Sequence, residues 1–199
     1  RRSFAYLIKN RCIRKEIVSY FALTGQIYEE AEHHNLVFVG FDETGRPRHA
    51  HIKGISSKGQ KFHLNAEGSE PEYAFGYLGK SDTLYVFEAA IDLLSFLTLY
   101  PYQWKQHSYQ SLDGVSEHAM VHLLCENPHL KKIVLCLDHD PAGIEACYRL
   151  KEILNGMGYE LVTRLAPNYK DWNEDLKSMA GMEVIPATEH PKLQMCQRI

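Results

Sequence analysis

Residues 132–143 read KIVLCLDHDPAG, and they carry the clearest secondary-structure signal in the chain. Residues 132–137 are a short run of mainly apolar side chains, which is typical of a buried strand. Pro141 suits the first turn of a helix, and the carboxylate of Asp140 can cap that helix. The stretch therefore predicts a strand that passes directly into a helix, with Asp138 and Asp140 at the carboxyl end of the strand.

The residues on either side repeat this alternation of strand and helix. Further strands are predicted at residues 83–87, 109–112 and 160–165, and further helices at residues 89–100, 116–125 and 171–179. Strands that alternate with helices of this length favour βαβ crossovers and a parallel sheet covered by helices on both faces. We therefore predict an α/β domain over residues 81–180, followed by a tail over residues 181–199.

Residues 1–80 predict a smaller α+β lobe with antiparallel strands. Apolar residues at helical spacing favour a helix that starts near residue 13 and that Gly25 ends. The runs at residues 36–41 and 49–55 flank a turn-forming segment, and this pattern is typical of a β-hairpin. Residues 61–64 favour one more strand beside the hairpin.

The overall composition is that of a globular protein. The chain has 199 residues, of which 45% are apolar and 24% charged, and these values exclude a disordered tail, a fibre and a small disulfide scaffold. Lys and Arg number 22 against 25 Asp and Glu, so a nucleic-acid partner would need a local basic surface. No apolar run approaches the ~18 residues of a membrane span, and the five cysteines form no C-x-x-C pair. We therefore expect a cytoplasmic protein with free thiols and no membrane association.

Two of the predicted strands end in acidic side chains. Glu88 follows residues 83–87, and Asp138 and Asp140 follow residues 132–137. In an open parallel sheet, ligands bind in the crevice at the carboxyl ends of the strands. Carboxylates that converge there repel one another and raise each other's pKa, and a divalent cation removes both penalties. Oxygen ligands suit Mg²⁺, and Mn²⁺ also accepts them, so we predict a metal site formed by these three acids.

Each acid also has a simpler interpretation as a helix cap or a surface charge. Their joint occurrence at two strand ends favours the metal site. Asp92 lies one helical turn after Glu88 and is the only charge in an apolar helix. We expect Asp92 to point toward the strand ends, where it could fix a metal-bound water or a lysine.

Three short motifs resemble those of Toprim domains, which occur in bacterial primases, topoisomerases and some nucleases. Residues 88–92, EAAID, resemble the Glu-x-x-x-Asp motif, and residues 138–143, DHDPAG, resemble the Asp-x-Asp-x-Ala-Gly motif. Residues 170–174, KDWNE, resemble the segment that closes the Toprim domain of primases. Over residues 6–179 the chain is similar to primase-like Toprim proteins of plasmids and conjugative elements. The resemblance implies a Rossmann-like Toprim sheet preceded by a small α+β lobe.

The resemblance also implies a function and a set of site residues. It implies Mg²⁺-dependent nucleotidyl or phosphoryl transfer on nucleic acid, primase-like, in the replication or transfer of a mobile element. Glu88 would be a general acid/base or a metal ligand, Asp138 and Asp140 would be metal ligands, and Asp92 and Asp171 would be supporting acids. The implied partners are single-stranded DNA, nucleotides and other replication or conjugation proteins.

Three other functions stay open at this stage. One is a Toprim nuclease, and another is a non-catalytic nucleic-acid-binding module that uses the Toprim fold as a scaffold. A haloacid-dehalogenase-type phosphatase also places Asp-x-Asp after a strand, but it expects Thr or Val where this chain has Ala142. Metal binding and turnover would separate these functions.

The predicted lobe contains two sets of side chains that could bind a ligand. Its lysines are predicted to contact nucleic-acid phosphates, with a solvated face as the alternative; they are Lys53, Lys58 and Lys61. Its histidines have no metal-ligand spacing and are interpreted as a solvated face; they are His33, His34, His49, His51 and His63.

Overall fold

The computed structural model describes residues 2–55 and 62–188. The first part of the chain forms helices α1 (Arg2–Ala5) and α2 (Lys15–Leu23), with a π-helical turn at Tyr6–Asn10 between them. An antiparallel sheet follows, with its strands in sequence order: β1 (Ile27–Glu29), β2 (Leu36–Phe41), β3 (Pro47–Lys53) and β4 (His63–Asn65). The pairing of β2 with β3 confirms the predicted hairpin. Gly25 follows α2 with a φ of 78°, a conformation that favours glycine and ends the helix.

The second part of the chain forms a five-stranded sheet in the order β5-β7-β6-β8-β9. Its strands are β5 (Gly76–Tyr77), β6 (Thr83–Phe87), β7 (Ser108–Ser111), β8 (Lys132–Leu135) and β9 (Leu161–Arg164). Strand β5 is antiparallel to β7, and the remaining pairs are parallel. The helices of this part are α3 (Ala90–Leu99), α4 (His118–Glu126), α5 (Pro141–Gly156) and α6 (Trp172–Met179), and 3-10 turns occur at Pro71–Tyr73 and Trp104–Gln106.

Helices cover both faces of this sheet, as the sequence predicts. Successive strand residues point to opposite faces, so Leu84 and Val86 pack in one core cluster while Phe87 packs in the other. Helices α4 and α5 fill the Leu84 side, and α2, α3 and α6 fill the Phe87 side. The structure is therefore the predicted α/β fold, a mainly parallel sheet preceded by a small α+β lobe.

The small lobe shares a core with the parallel sheet. Phe21 of α2 lies 5.0 Å from Phe75 between ring centroids, and the Gln26 side chain donates to the Gly76 carbonyl at 2.7 Å. A Cβ on Gly40 of β2 would lie 1.4 Å from the Tyr73 carbonyl oxygen, so only glycine permits this approach. The lobe is thus packed tightly against the sheet. Among the helices of the described residues, none is long and apolar enough to cross a membrane.

Candidate metal and active site

Two adjacent parallel strands bring the predicted acids to one edge of the sheet. Strands β6 and β8 pair with Val86 opposite Leu135. Beyond that pair, the Cys136 amide still donates to the Val86 carbonyl at 2.8 Å, so the two chains remain side by side as they leave the sheet. Glu88 and Asp138 follow within two residues of these positions. The structure therefore places both carboxylates at the carboxyl end of the sheet.

The turn after β8 presents Asp140 beside Asp138. The Asp140 carboxylate accepts a hydrogen bond from the Gly143 amide at 3.0 Å, which confirms the predicted cap of α5. A Cβ on Gly143 would lie 2.4 Å from the Asp138 carbonyl oxygen. A side chain at position 143 would therefore push the helix away from the strand end, and glycine keeps the two carboxylates together.

A lysine that the sequence argument did not assign to the site lies among these acids. The Lys170 ammonium lies 3.1 Å from Asp138, 3.5 Å from Asp140 and 4.0 Å from Asp171. It comes from the segment between β9 and α6, and the sequence signal for it was the KDWNE motif at residues 170–174. One positive charge thus faces three of the predicted site residues at once.

Asp171 and Asp92 support the segment that carries Lys170. Asp171 caps α6 by accepting from the Glu174 amide at 2.8 Å. Asp92 is 7% exposed, and its carboxylate accepts from the Asn173 amide at 3.2 Å. Asp92 therefore holds the first turn of α6. Its hydrogen bond is with that turn, which directly follows Lys170 and Asp171 in the chain.

Further contacts fix the same segment, and the sequence argument missed them. The buried Asp175 carboxylate accepts from the backbone amides of Asn168 and Tyr169 at 3.0 and 2.8 Å. The Lys170 amide donates to the Ile185 carbonyl at 3.1 Å. Residues 185–188, which belong to the predicted tail, therefore lie against the site. The His139 ring, between the two aspartates, contacts the Pro167 carbonyl at 2.9 Å.

Burial shifts the pKa of the central acids. It raises the pKa of Glu88 to about 7, and the charges of Asp138 and Asp140 add to the effect. Burial also raises the pKa of Asp138 to about 6, although the Lys170 ammonium opposes this change. The pKa of Asp92 is raised well above its usual value by burial and by Asp171. Ionisation of these acids therefore costs free energy in the folded protein unless a further positive charge binds beside them.

Two carboxylate oxygens of the cluster fit a divalent cation. Glu88 Oε2 and Asp138 Oδ1 are buried and have no hydrogen-bond partner among the described residues. Unpartnered buried oxygens are costly, and hard oxygen ligands suit Mg²⁺ or Mn²⁺. Glu88, Asp138 and Asp140 would hold such an ion.

The raised pKa values predict that Mg²⁺ stabilises the protein in a pH-dependent way. An acid whose pKa is raised in the folded state makes the fold less stable as pH rises from its unfolded pKa to its folded one. Mg²⁺ competes with protons for these oxygens, so we expect Mg²⁺ to raise the stability of the fold mainly above about pH 7. At 100 times its Kd an ion adds about 2.7 kcal/mol, or roughly 5–10 °C in Tm at this size. Calorimetric scans should show this gain near pH 8 and almost none near pH 5; equal gains at both would contradict the prediction.

Comparisons with known proteins agree with the fold. Residues 85–176 match a family model described as Toprim-like, and residues 5–81 match one described as a protein of unknown function, DUF3991. The primase fragment of the bacteriophage T7 primase-helicase aligns with a TM-score of 0.65 and 18% identity, over 94% of this chain and 72% of that one. The E. coli primase catalytic core aligns with a TM-score of 0.59 and 15% identity, over 96% and 71%. At these identities the likeness shows the fold.

Two uncharacterized proteins are related in sequence. The Bacillus anthracis protein pXO2-78 is 26% identical over 203 residues, which cover 92% of this chain and 58% of that protein. The MG010 homolog of Mycoplasma pneumoniae is 46% identical over 46 residues, 23% of this chain and 22% of that protein. The chain thus spans less than two thirds of either relative.

The match of residues 85–176 to the Toprim-like model and the likeness of the structures give this part of the chain a Toprim fold. Residues 85–176 form the Toprim-like domain, and with the lobe before it the chain has the fold of primase catalytic cores. This confirms the resemblance drawn from the three sequence motifs.

Proposed function

We propose that this chain is the catalytic part of a primase-like nucleotidyl transferase, with Mg²⁺ held by Glu88, Asp138 and Asp140. The observation that carries the proposal is the pair of unpartnered, buried oxygens on Glu88 and Asp138, at adjacent strand ends of a Toprim fold. A purely structural acid cluster has no need of unpartnered oxygens. A cluster that binds a cation does, because the ion is the partner of these oxygens.

The side chains of the cluster suit transfer of a nucleotide to a 3′ hydroxyl. A divalent cation, when bound, neutralises the negative charge that develops on the transferring phosphate. When Asp138 and Asp140 alone hold the cation, the Glu88 carboxylate, whose pKa is raised by burial, can accept the hydroxyl proton. The Lys170 ammonium is 34% exposed, so it can turn from Asp138 toward an incoming phosphate. Asp92 and Asp171 keep Lys170 in position by fixing the start of α6.

The proposed template is single-stranded DNA, bound partly by the small lobe. Lys53 ends β3, and Lys58 and Lys61 lie outside the described residues, so their contact with phosphates stays a prediction. The proposed setting is replication or transfer of a mobile element in the cytoplasm, together with other replication or conjugation proteins. The plasmid designation pXO2 in the name of the Bacillus anthracis relative supports this setting.

Incubation of the purified chain with single-stranded DNA, ribonucleotides and Mg²⁺ or Mn²⁺ tests the proposal. We expect template-dependent products, at least about 10²-fold above those of a variant with Asp138→Asn and Asp140→Asn. Shortening of the DNA without nucleotide addition would favour a Toprim nuclease. Binding of DNA without any turnover would favour the non-catalytic module, and either result would contradict the transferase.

A further inference from the structure

A second cluster of metal-ligating side chains lies between the small lobe and the parallel sheet. His49 and His51 are two residues apart in β3, so their side chains lie on the same face of the strand, and Asp113 follows β7. His49 is 2% exposed, so its interpretation as part of a solvated face was wrong. The side chains of Asp113 and His51 are 5% and 12% exposed. The three residues are therefore withdrawn from solvent.

The donor atoms of this cluster converge on a small volume. His49 Nε2 lies 3.0 Å from Asp113 Oδ2, and His51 Nδ1 lies 4.0 Å from the same oxygen. One ligand atom from each residue lies within 4.8 Å of the others. His51 Nδ1 donates to Asn65 Oδ1 of β4 at 2.8 Å, a hydrogen bond that a cation at this nitrogen would replace. Two imidazole nitrogens with a carboxylate oxygen are a ligand set that suits Zn²⁺ and similar cations.

Asp113 is held in place for this role. Its φ is 51°, a left-handed conformation that is uncommon for residues other than glycine. The Ser111 hydroxyl donates to Asp113 Oδ1 at 2.8 Å, which leaves Oδ2 directed at the histidines. Partners of this kind orient the carboxylates that bind metals in other proteins.

The second ring nitrogen of His49 takes no part in the contact with Asp113. His49 Nδ1 is buried and has no hydrogen-bond partner among the described residues. A buried imidazole normally has a partner on each nitrogen, because an unmet polar atom is costly. With Nε2 facing Asp113, Nδ1 points away from the cluster, so it is the donor atoms converging around Asp113 Oδ2 that indicate a cation.

We propose that His49, His51 and Asp113 form a second metal site, for Zn²⁺ or a cation of similar chemistry, that joins β3 to the loop after β7. This site differs from the acid cluster at the strand ends, which offers only oxygen ligands. The amides of Leu112 and Gly114 donate to the carbonyls of Phe87 and Glu88, each at 2.9 Å. A cation on Asp113 would therefore also fix the backbone that carries Glu88.

Titration of the metal-free chain with Zn²⁺ and Co²⁺ tests the site without any activity assay. In the Asp138→Asn and Asp140→Asn background, which removes ligands of the strand-end site, we expect one ion per chain, a Co²⁺ absorption spectrum typical of tetrahedral coordination without thiolate bands, and a higher Tm. His51→Gln and Asp113→Asn should each weaken Zn²⁺ binding by about 10²-fold or more. Two variants are used because one of them could disturb the packing of the lobe.

Two controls separate this site from other sources of binding. His129→Gln changes an exposed histidine and should leave Zn²⁺ binding as in the wild type. The double variant of Asp138 and Asp140 should also keep it, whatever its effect on Mg²⁺. Unchanged binding in both His51→Gln and Asp113→Asn would overturn the proposal, as would loss of Zn²⁺ only in the double variant.

Discussion

Mg²⁺ binding at the strand ends is expected to disappear when Asp138 and Asp140 are both replaced by asparagine. The change removes two of the three carboxylates proposed to hold the ion, and the Lys170 ammonium then offsets much of the negative charge that remains on Glu88 and Asp171. The fold should persist, because asparagine caps a helix about as well as aspartate and keeps an oxygen for the Gly143 amide. Calorimetry with Mn²⁺, which accepts the same ligands, measures the loss directly.

A matched control variant removes the same number of negative charges at positions outside the site. Asp82 lies at the other end of β6 and pairs with Lys132, and Glu145 is exposed on α5. The pair Asp82→Asn and Glu145→Gln also removes two negative charges, and it should leave the Mn²⁺ affinity within about twofold of the wild type. If the Asp138 and Asp140 variant binds Mn²⁺ as the wild type does, these residues are not the metal ligands. Both titrations are carried out in the His51→Gln background, so that binding at the proposed site of His49, His51 and Asp113 does not contribute to the measured Mn²⁺ affinity.

Periodic patterns of apolar residues allowed the strands and helices of the parallel sheet to be predicted from the sequence. The strand before Asp138 and the helix after it follow from local chemistry: an apolar run, a capping aspartate and a proline in the first turn. Parallel pairing then forces the ends of β6 and β8 to one edge, which is why Glu88 and Asp138 could be placed together without a structure. These predictions needed only short-range signals and one topological rule.

The remaining parts of the site depend on long-range contacts, and a local motif such as the one that contains Lys170 does not show which residues it meets. Lys170 reaches Asp138 across 32 positions because a loop between β9 and α6 folds back over the strand ends. His49 meets Asp113 across 64 positions, so neither residue looked like a ligand in its own segment. Residues 185–188 lack periodicity, yet their backbone pairs with the Lys170 segment. In each case the position of the residue at the site depends on packing between elements that are far apart in the sequence.

Glu88→Gln is expected to lower the rate of nucleotide transfer by about 10² or more, with little change in nucleic-acid affinity. Glutamine keeps the size and hydrogen-bonding capacity of Glu88 but cannot accept a proton. A bound cation lowers the pKa of Glu88 below its metal-free value of about 7, so the wild-type rate should rise with pH below about 7 and the variant should lack that rise. Rates on primed templates across this pH range provide the measurement. A variant as active as the wild type would remove Glu88 from the mechanism.

The same substitution should stabilise the metal-free protein, which a merely disruptive change would not do. Burial raises the pKa of Glu88, so ionisation of this residue opposes folding increasingly from about pH 4.5 to about pH 7. Glutamine stays neutral, so the Tm of the variant should exceed that of the wild type near pH 8 and approach it near pH 5. Glu145→Gln, an exposed change of the same type, should show neither the rate loss nor the Tm gain. A loss of rate together with a gain in Tm is the signature of a carboxylate kept for its chemistry at the expense of stability.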